Sequence, residues 1–465
     1  MHDTRRGWAY ATFGTAEIGD DRLSRRLIDV ASRVAMRPAG TVTEVFDDGA
    51  DREAAYRLLS NGTVKSEALA EAMFRSTARA CARETTIYVA VDGSSLSIAD
   101  PKKKRPVGAV GAWRQNGRGL HVVSALALNR DGVPLGVCEQ TWWVRTRLGP
   151  AERNDFRPLD EKESRFLAEA IQNAHRRMQK DAPAAHVVYL ADRGFDIASV
   201  LSLCQQAAPC AFIIRAAQKK RIALLNGERR YLPDVVRAMP ILGHAFVRVP
   251  ERNNRPARTA RVQIQAAAVE LLVPVSTSQD QRRENLPLNC VWVRELDGPK
   301  GDLLSWLLLT TESIDTFEHI TAVIRAYAYR WRIEEFHRAW KRGGCNVEDM
   351  QLRSREAMLK WATIHGAVAA RAIHLARRAR TEPDVPASTE FTQLEMDAAI
   401  VLRRRRTNLR KGDVPTLAAM VGLVADIGGY VGKSSGGPPG PTVIARGLER
   451  LAIAVDVLSI ERSDE

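Results

Sequence analysis

Apolar residues recur at helical spacing through residues 14–86. The clearest run, 22–31, follows Gly19 and Asp20 and leaves Arg22, Arg25 and Arg26 to solvent. Further helices are expected over 51–59 and 65–83. The period then changes: TIYVAVD at 86–92 is apolar and β-branched, the mark of a strand. Strands are expected at 120–129 and 134–143, with Asp131-Gly132 as the hairpin turn between them. HVVYLAD at 186–192 has the composition of another buried strand, with helices predicted over 161–179 and 197–206. Residues 211–311 are β-rich, with strands at 211–215, 259–267, 270–274, 290–296 and 305–311 broken by Gly, Pro and Asn turns. Since α/β signals stand on both sides, this stretch is expected to be an insertion in an α/β domain. Residues 313–380 are helical in pattern. A two-proline linker at 382–388 precedes helices over 392–406, 414–427 and about 443–458, with a Gly-Pro loop at 434–441.

A chain of 465 residues corresponds to roughly three domains. Its 45% hydrophobic content excludes wholesale disorder. No apolar stretch is long enough to span a bilayer, and no apolar segment follows Arg5 and Arg6, so neither a membrane protein nor a secreted one is expected. The six cysteines are dispersed without a CxxC, which suggests free thiols in a reducing cytosol. Lysine and arginine number 69 against 55 acidic residues, a net charge of +14, which favours a polyanionic partner.

Two of the predicted strands end in a carboxylate, Asp92 and Asp192. The carboxyl end of a buried strand is where α/β folds place ligands, although either aspartate alone is more commonly a turn cap. The third element is the helix expected over 327–341. Tyr327, Arg330, Glu334 and Lys341 stand at offsets of 0, 3, 7 and 14 and so fall on one stripe. A phenol, a guanidinium, a carboxylate and an ammonium on one stripe suit a phosphate site. The competing reading is a solvated face with Arg330 paired to Glu334, and the aromatics Trp331, Phe336 and Trp340 weigh against full exposure. Glu335 lies about 100° around the helix, so Glu334 is the expected ligand. Three carboxylates from two strands and a helix suit two Mg2+ ions, which take hard oxygen ligands and promote in-line displacement at phosphorus. Arg330 and Lys341 would hold flanking phosphates.

Asp92, Asp192 and Glu334, with Tyr327-(2)-Arg330-(3)-Glu334-(6)-Lys341, resemble the DDE triad and YREK signature of bacterial cut-and-paste transposases of the insertion sequence four family. The run YRWRIEEFHRAWK carries most of the likeness. LADRGFD, VDGSSLS, Gln140-Thr141-Trp142-Trp143, the Asp160 to Ser164 segment and Gly19-Asp20-x-Arg22-x3-Arg26-Leu27 add to it. The resemblance implies an α/β fold: an RNase H-like mixed-sheet catalytic core with a β-rich insertion, flanked by N-terminal and C-terminal helical domains. The corresponding divisions are 1–70 for DNA binding, 71–380 for catalysis with the insertion at about 216–304, and 381–465 for dimerisation. It implies catalysis and metal binding by Asp92, Asp192 and Glu334, with two Mg2+ ions per site, or Mn2+ in their place. DNA and phosphate contacts are implied for Tyr327, Arg330, Lys341, Arg215, Trp306, Arg22, Arg26 and Lys162, Trp306 matching a tryptophan that stacks on a flipped base. The implied partners are double-stranded transposon ends, target DNA and a second copy of the chain, in the bacterial cytoplasm at the nucleoid. The implied chemistry is nicking, hairpin formation, hairpin opening and strand transfer.

Three basic runs could also track phosphates: 102–105, 219–221 and 403–406. His337 forms an Exx-His pair with Glu334, but no second such pair exists to make a di-iron site. His121, His186 and His365 are expected in structural roles. No GxSxG, P-loop or HExxH occurs. Competing readings are an inactive DNA-binding inhibitor of transposition, an RNase H-like structure-selective nuclease and a two-carboxylate glycosidase. The first loses ground to the intact carboxylates and the last to the basic charge.

Overall fold

The computed structural model describes residues 4–111, 117–145, 162–217, 221–225, 227–249, 256–274, 283–299, 303–432 and 437–461. The chain opens with five helices: α1 (Thr4–Phe13), α2 (Asp21–Met36), α3 (Val42–Val45), α4 (Gly49–Ser60) and α5 (Ser66–Cys81). Asp20 caps α2 by accepting from Arg22 N and Leu23 N, so the helix begins where its polar boundary predicts. Helices α1 and α3 were not foreseen; α1 precedes the helical pattern and α3 is a single capped turn.

Strands β1 (Thr86–Ser97), β2 (Gly108–Val110), β3 (Gly117–Leu128) and β4 (Pro134–Trp143) follow. The β3–β4 turn uses Gly132 at φ 74°, a conformation that favours glycine. Next come α6 (Arg165–Asp181), β5 (His186–Ala191), α7 (Ala198–Leu201) and β6 (Ala211–Arg215). The helix expected over 197–206 is only α7 and a 3₁₀ turn, and α6 starts four residues later than expected. Strand β1 pairs antiparallel with β3, β3 antiparallel with β4, β1 parallel with β5, and β5 parallel with β6. An antiparallel meander continued by parallel strands, in the order β4-β3-β1-β5-β6, is consistent with an RNase H-like core.

The β-rich stretch contributes β7 (Ile222–Leu225), β8 (Glu228–Tyr231), α8 (Leu232–Arg237), β9 (Gly243–Val249), β10 (Arg258–Pro274), β11 (Arg283–Glu295) and β12 (Ser305–Thr310). It makes no sheet of its own: β12 pairs with β6, and β11, β10, β7 and β8 extend the same twelve-stranded sheet, with β9 on β10. The two strands expected at 259–267 and 270–274 are one long strand, β10, continuous through Ala268 and Val269 because β11 pairs along its length.

The remainder is helical: α9 (Phe317–Tyr329), α10 (Trp331–Lys341), α11 (Arg355–Thr381), α12 (Gln393–Leu402), α13 (Leu417–Ile427) and α14 (Pro441–Glu461). One sheet face packs α10, α11 and the N-terminal helices into a common core containing Leu27, Leu58, Ala90, Leu126, Trp340 and Trp361. The opposite face packs α6 and α8 through Val89, Ile171, Tyr189 and Val235. Helices α12–α14 close a separate cluster with the end of α11. No helix among the described residues is long and apolar enough to cross a membrane.

The expected linker at 382–388 is tied down: Pro386 bridges to Thr416, and Ala387 N donates to Pro415 O. Just beyond it, Glu390 accepts from His374 Nε2 at 3.0 Å and pairs with Arg378. Burial would raise the Glu390 carboxyl, but the His374 hydrogen bond and charge, joined by Arg378, outweigh it and hold the group at about 2. A carboxyl depressed on folding stabilises the folded state above its unfolded value and loses that contribution as pH falls through the folded one. Stability should therefore drop between about pH 4.5 and pH 2 by on the order of 3 kcal/mol, and Glu390→Gln should flatten this part of the profile. Denaturant midpoints across that range check this, and a variant profile parallel to wild type would refute it.

Candidate active site

Side chains alternate along strands. Tyr88, Ala90 and Asp92 therefore share one face of β1, and Val188, Leu190 and Asp192 share one face of β5 and its continuation. The two faces are the same: Ala90 packs in the core under α10, and Val188 and Leu190 pack under α9. The parallel register ends at Val91↔Ala191, so Asp92 and Asp192 are the next step of both strands, side by side. Beyond that point the two differ. Asp192 leaves the sheet and caps a 3₁₀ turn, accepting from Gly194 N at 2.7 Å. Asp92 does not terminate its strand as expected, since β1 runs five residues further, held by β3 through Ser97↔Gly119. It accepts from Gly93 N at 2.8 Å.

The third carboxylate arrives on α10. The single helix expected over 327–341 is two helices meeting at Arg330. The junction is a tightened turn in which Arg330 N bonds Tyr327 O and Ile333 N bonds Arg330 O, both 3.1 Å. Arg330 Nη2 pairs with Glu334 Oε1 at 2.6 Å, and only 13% of the Arg330 side chain is exposed, so this is no solvated face. Glu335 points elsewhere, bonded to Arg332 and to Arg377 of α11.

Electrostatics tie the group together. Burial first, then the charge of Asp192, with Glu334 adding to it and Arg330 opposing, push the Asp92 carboxyl up to about 7. Tyr327 is buried and its phenol is raised, chiefly by burial, with the charges of Arg330 and Arg215 opposing and Asp192 adding. Arg215, at the end of β6, donates from Nη2 to Ser305 O at 2.9 Å. Trp306 on β12 is half-buried and meets the Tyr327 ring edge-on, centroids 5.0 Å apart. Asp92, Asp192, Glu334, Arg330, Tyr327, Arg215 and Trp306 therefore form one neighbourhood.

Other predicted residues lie apart. Lys341, two turns beyond Glu334 on α10, has its partner in Glu348, at 3.5 Å. Glu348 also binds Arg342 and accepts from Ser97 N at 2.8 Å, which places Lys341 beside the far end of β1. Glu348 was not singled out from the sequence, and the turn between α10 and α11 that buries it carries no motif. Arg22 is 89% exposed beside Asp20 and Arg26 lies 3.9 Å from Asp51, both on the outer side of α2. Lys162 precedes α6 and is half-buried. Of the basic run 219–221, Lys219 and Lys220 lie outside the described residues, as do Asp160, Glu161 and 434–436. Arg221 is no phosphate tracker but a buried partner of Asp196. Arg403 and Arg406 both pair with Asp426. His337 is buried, and burial pushes it down to about 3, so it is a neutral core residue against Phe336 and Trp340.

Among the described residues no three acidic, imidazole or thiol side chains stand close enough as a group to hold a metal ion. The donor chemistry nonetheless fits a hard cation. Three carboxylates share a half-buried space, one is forced toward neutrality by the others, and Arg330 is the positive charge bonded among them.

Residues 5–64 match the family model for a transposase DNA-binding domain, and residues 143–370 match that for a transposase DDE domain. The first match holds Arg22 and Arg26. The second holds Asp192, Arg215, Trp306, Tyr327, Arg330, Glu334 and Lys341, while Asp92 precedes it.

Proposed function

From the premise that the chain is a DDE-type transposase, carrying both a transposase DNA-binding domain and a DDE domain, we propose that it binds the ends of its own element as a dimer and moves them by cut-and-paste through Asp92, Asp192 and Glu334. The supporting observation is the register that sets the two strand carboxylates side by side beneath α10, where their charges act on one another. Residues 1–70 would carry end recognition and 381–465 the dimer contacts, on the pattern of the insertion sequence four family.

Asp92, Asp192 and Glu334 would hold Mg2+ or Mn2+. Bound divalent ions lower the pKa of a water or 3′-hydroxyl and stabilise charge on the leaving oxygen. The chain's own part is positioning. Arg330, bonded to Glu334, orients that carboxylate and offers its remaining N–H groups to a phosphate. Arg215 adds a second guanidinium at the end of β6. The buried Tyr327 keeps the back of the site dry and presents its ring to Trp306. Each carboxylate has a local hydrogen-bond partner, Gly93 N for Asp92, Gly194 N for Asp192 and Arg330 for Glu334, which restricts how far it must move to take up a cation.

The test is a Mg2+-dependent cleavage assay on linear DNA carrying the genomic sequence that flanks the gene, with Glu334→Ala alongside. Nicks and hairpins at an element boundary, absent in the variant, are expected. Specific binding with no cutting would favour an inhibitor, and cutting with no strand transfer a structure-selective nuclease. Trp306→Ala should impair hairpin formation more than first-strand nicking. The loss of base stacking is about 1–3 kcal/mol, or about 5- to 150-fold. Equal loss in both steps would show that Trp306 merely packs on Tyr327.

A further inference from the structure

The loop between β1 and β2 exposes Lys102, Lys103 and Lys104, which the proposed chemistry does not use. This run is not a loose solvated tail. Asp100 lies beneath it with 3% of its side chain exposed, accepting from Lys104 N at 2.9 Å, Arg105 N at 3.3 Å and Arg118 Nε at 2.8 Å. Lys103 N donates to Asp100 O at 3.1 Å. Arg118 Nη2 holds Arg105 O, and Arg105 Nη1 reaches Met350 O at 3.1 Å. Lys103 sits at φ 51°, a left-handed conformation that non-glycine residues adopt at a cost. A buried carboxylate, two guanidiniums and a left-handed residue thus fix the backbone that carries three exposed lysines, so that binding need order only their side chains.

The loop is also continuous with the candidate site. β1 runs from Asp92 toward it, and Ser97 N is bonded to Glu348, which holds Lys341 and Arg342 at the end of α10. The eight residues from Asp92 to Asp100, beneath the loop, span about 26 Å at most, or no more than about eight base steps of 3.4 Å. We infer that the 102–104 loop is a preorganised clamp on the phosphate backbone of the duplex cut at Asp92, gripping it within about eight base pairs of the scissile phosphate. The inference rests on the proposed role of Asp92 for its register.

The experiment measures binding of the full chain to a duplex of about 40 base pairs, taken from the DNA flanking its gene, across a salt series. Each lysine–phosphate contact contributes about 0.9 to the slope of log K against log salt, so K102Q/K103Q/K104Q should lower the slope by about 2–3. The triple arginine variant should restore it. Phosphate ethylation at one or more positions within about eight base pairs of the cut should weaken wild-type binding and leave the glutamine variant indifferent. An unchanged slope, or arginines that fail to restore it, overturns the clamp. Asp92→Asn separates the two ideas. Lost cutting with a slope unmoved by the glutamines sinks the clamp alone; normal cutting by Asp92→Asn sinks the reading of the site and with it the stated register.

Discussion

Alanine in place of Asp92, Asp192 or Glu334 is expected to abolish strand cleavage, by about 10³-fold or more, while binding to end DNA stays near wild type. The size follows from the work asked of the group. Stabilising charge at the attacking and leaving oxygens is worth several kcal/mol, and each 1.36 kcal/mol is tenfold in rate. The three substitutions should not differ greatly, because the carboxylates act as a unit and removing one dismantles it. Binding should survive because Arg22 and Arg26 lie on α2, outside this neighbourhood. Folding should survive as well: Asp92 is a repelled, partly neutralised carboxyl, so its removal relieves the apo protein. Gel-shift titrations and cleavage of the same duplex in Mg2+ check both halves. Wild-type cutting by any one variant would remove that residue from the site. Glu335→Ala is the internal control. It should cost stability through Arg332 and Arg377 and leave the cleavage chemistry of the folded fraction intact.

The largest expected effect on stability lies four residues beyond the second aspartate. Asp196 is 1% exposed and Arg221 9%, and the two are paired. Asp196 also accepts from Ala217 N at 2.9 Å, and Arg221 Nη2 donates to Asp196 O at 3.0 Å. Removing one member of a buried pair strands the other charge in a medium that cannot solvate it, at about 3–5 kcal/mol. Asp196→Ala should therefore shift the denaturant midpoint strongly. Arg221→Met should cost a comparable amount, since it leaves Asp196, the more buried of the two, without its counter-charge. If both variants unfold at the wild-type midpoint, the pair contributes nothing. Asp196 ends the 3₁₀ turn that Asp192 caps, so Asp196→Ala should also blur the second carboxylate's position and lower cleavage in the fraction that remains folded.

Much of this arrangement was legible because it is written in local pattern. Strand β4 has its expected bounds, β5 and β6 fall where their apolar runs place them, and both strand aspartates stand beside one another as their motifs suggest. What was not legible depends on partners distant in sequence. Nothing in YAYRWRIEE breaks a helix: it holds neither Gly nor Pro, and Arg330 keeps a right-handed φ and ψ. The junction arises from what each half packs against, α9 on β5 and β6 and α10 on β1 and α11. A stripe drawn over one straight helix therefore does not apply across the junction to Tyr327, and it gives no hint that Lys341, still in line with Glu334 on α10, pairs with Glu348. Arg221 looked like a surface cation because its partner, Asp196, lies in another motif. Strand β10 looked like two strands because an Ala-rich centre has little β propensity of its own; the cross-strand partners on β11 supply what the sequence lacks.

Helix α11 is anchored to the first 61 residues at three of its side chains. Lys360 Nζ donates to Leu59 O and Asn61 O, Trp361 Nε1 donates to Gly40 O, and His365 Nε2 lies 2.8 Å from Ala39 O. Those helices share their core with the sheet itself. The part that matches a DNA-binding family model is thus not a detachable reader. Cut away at residue 64, it would leave apolar surface open on both pieces and a buried ammonium without its carbonyls. A transplanted N-terminal segment would have to rebuild both that shared core and these anchors. If end recognition lies on α2 as proposed, a change of address would fall to single side chains on its exposed face, such as Arg22, rather than to replacement of the body beneath it.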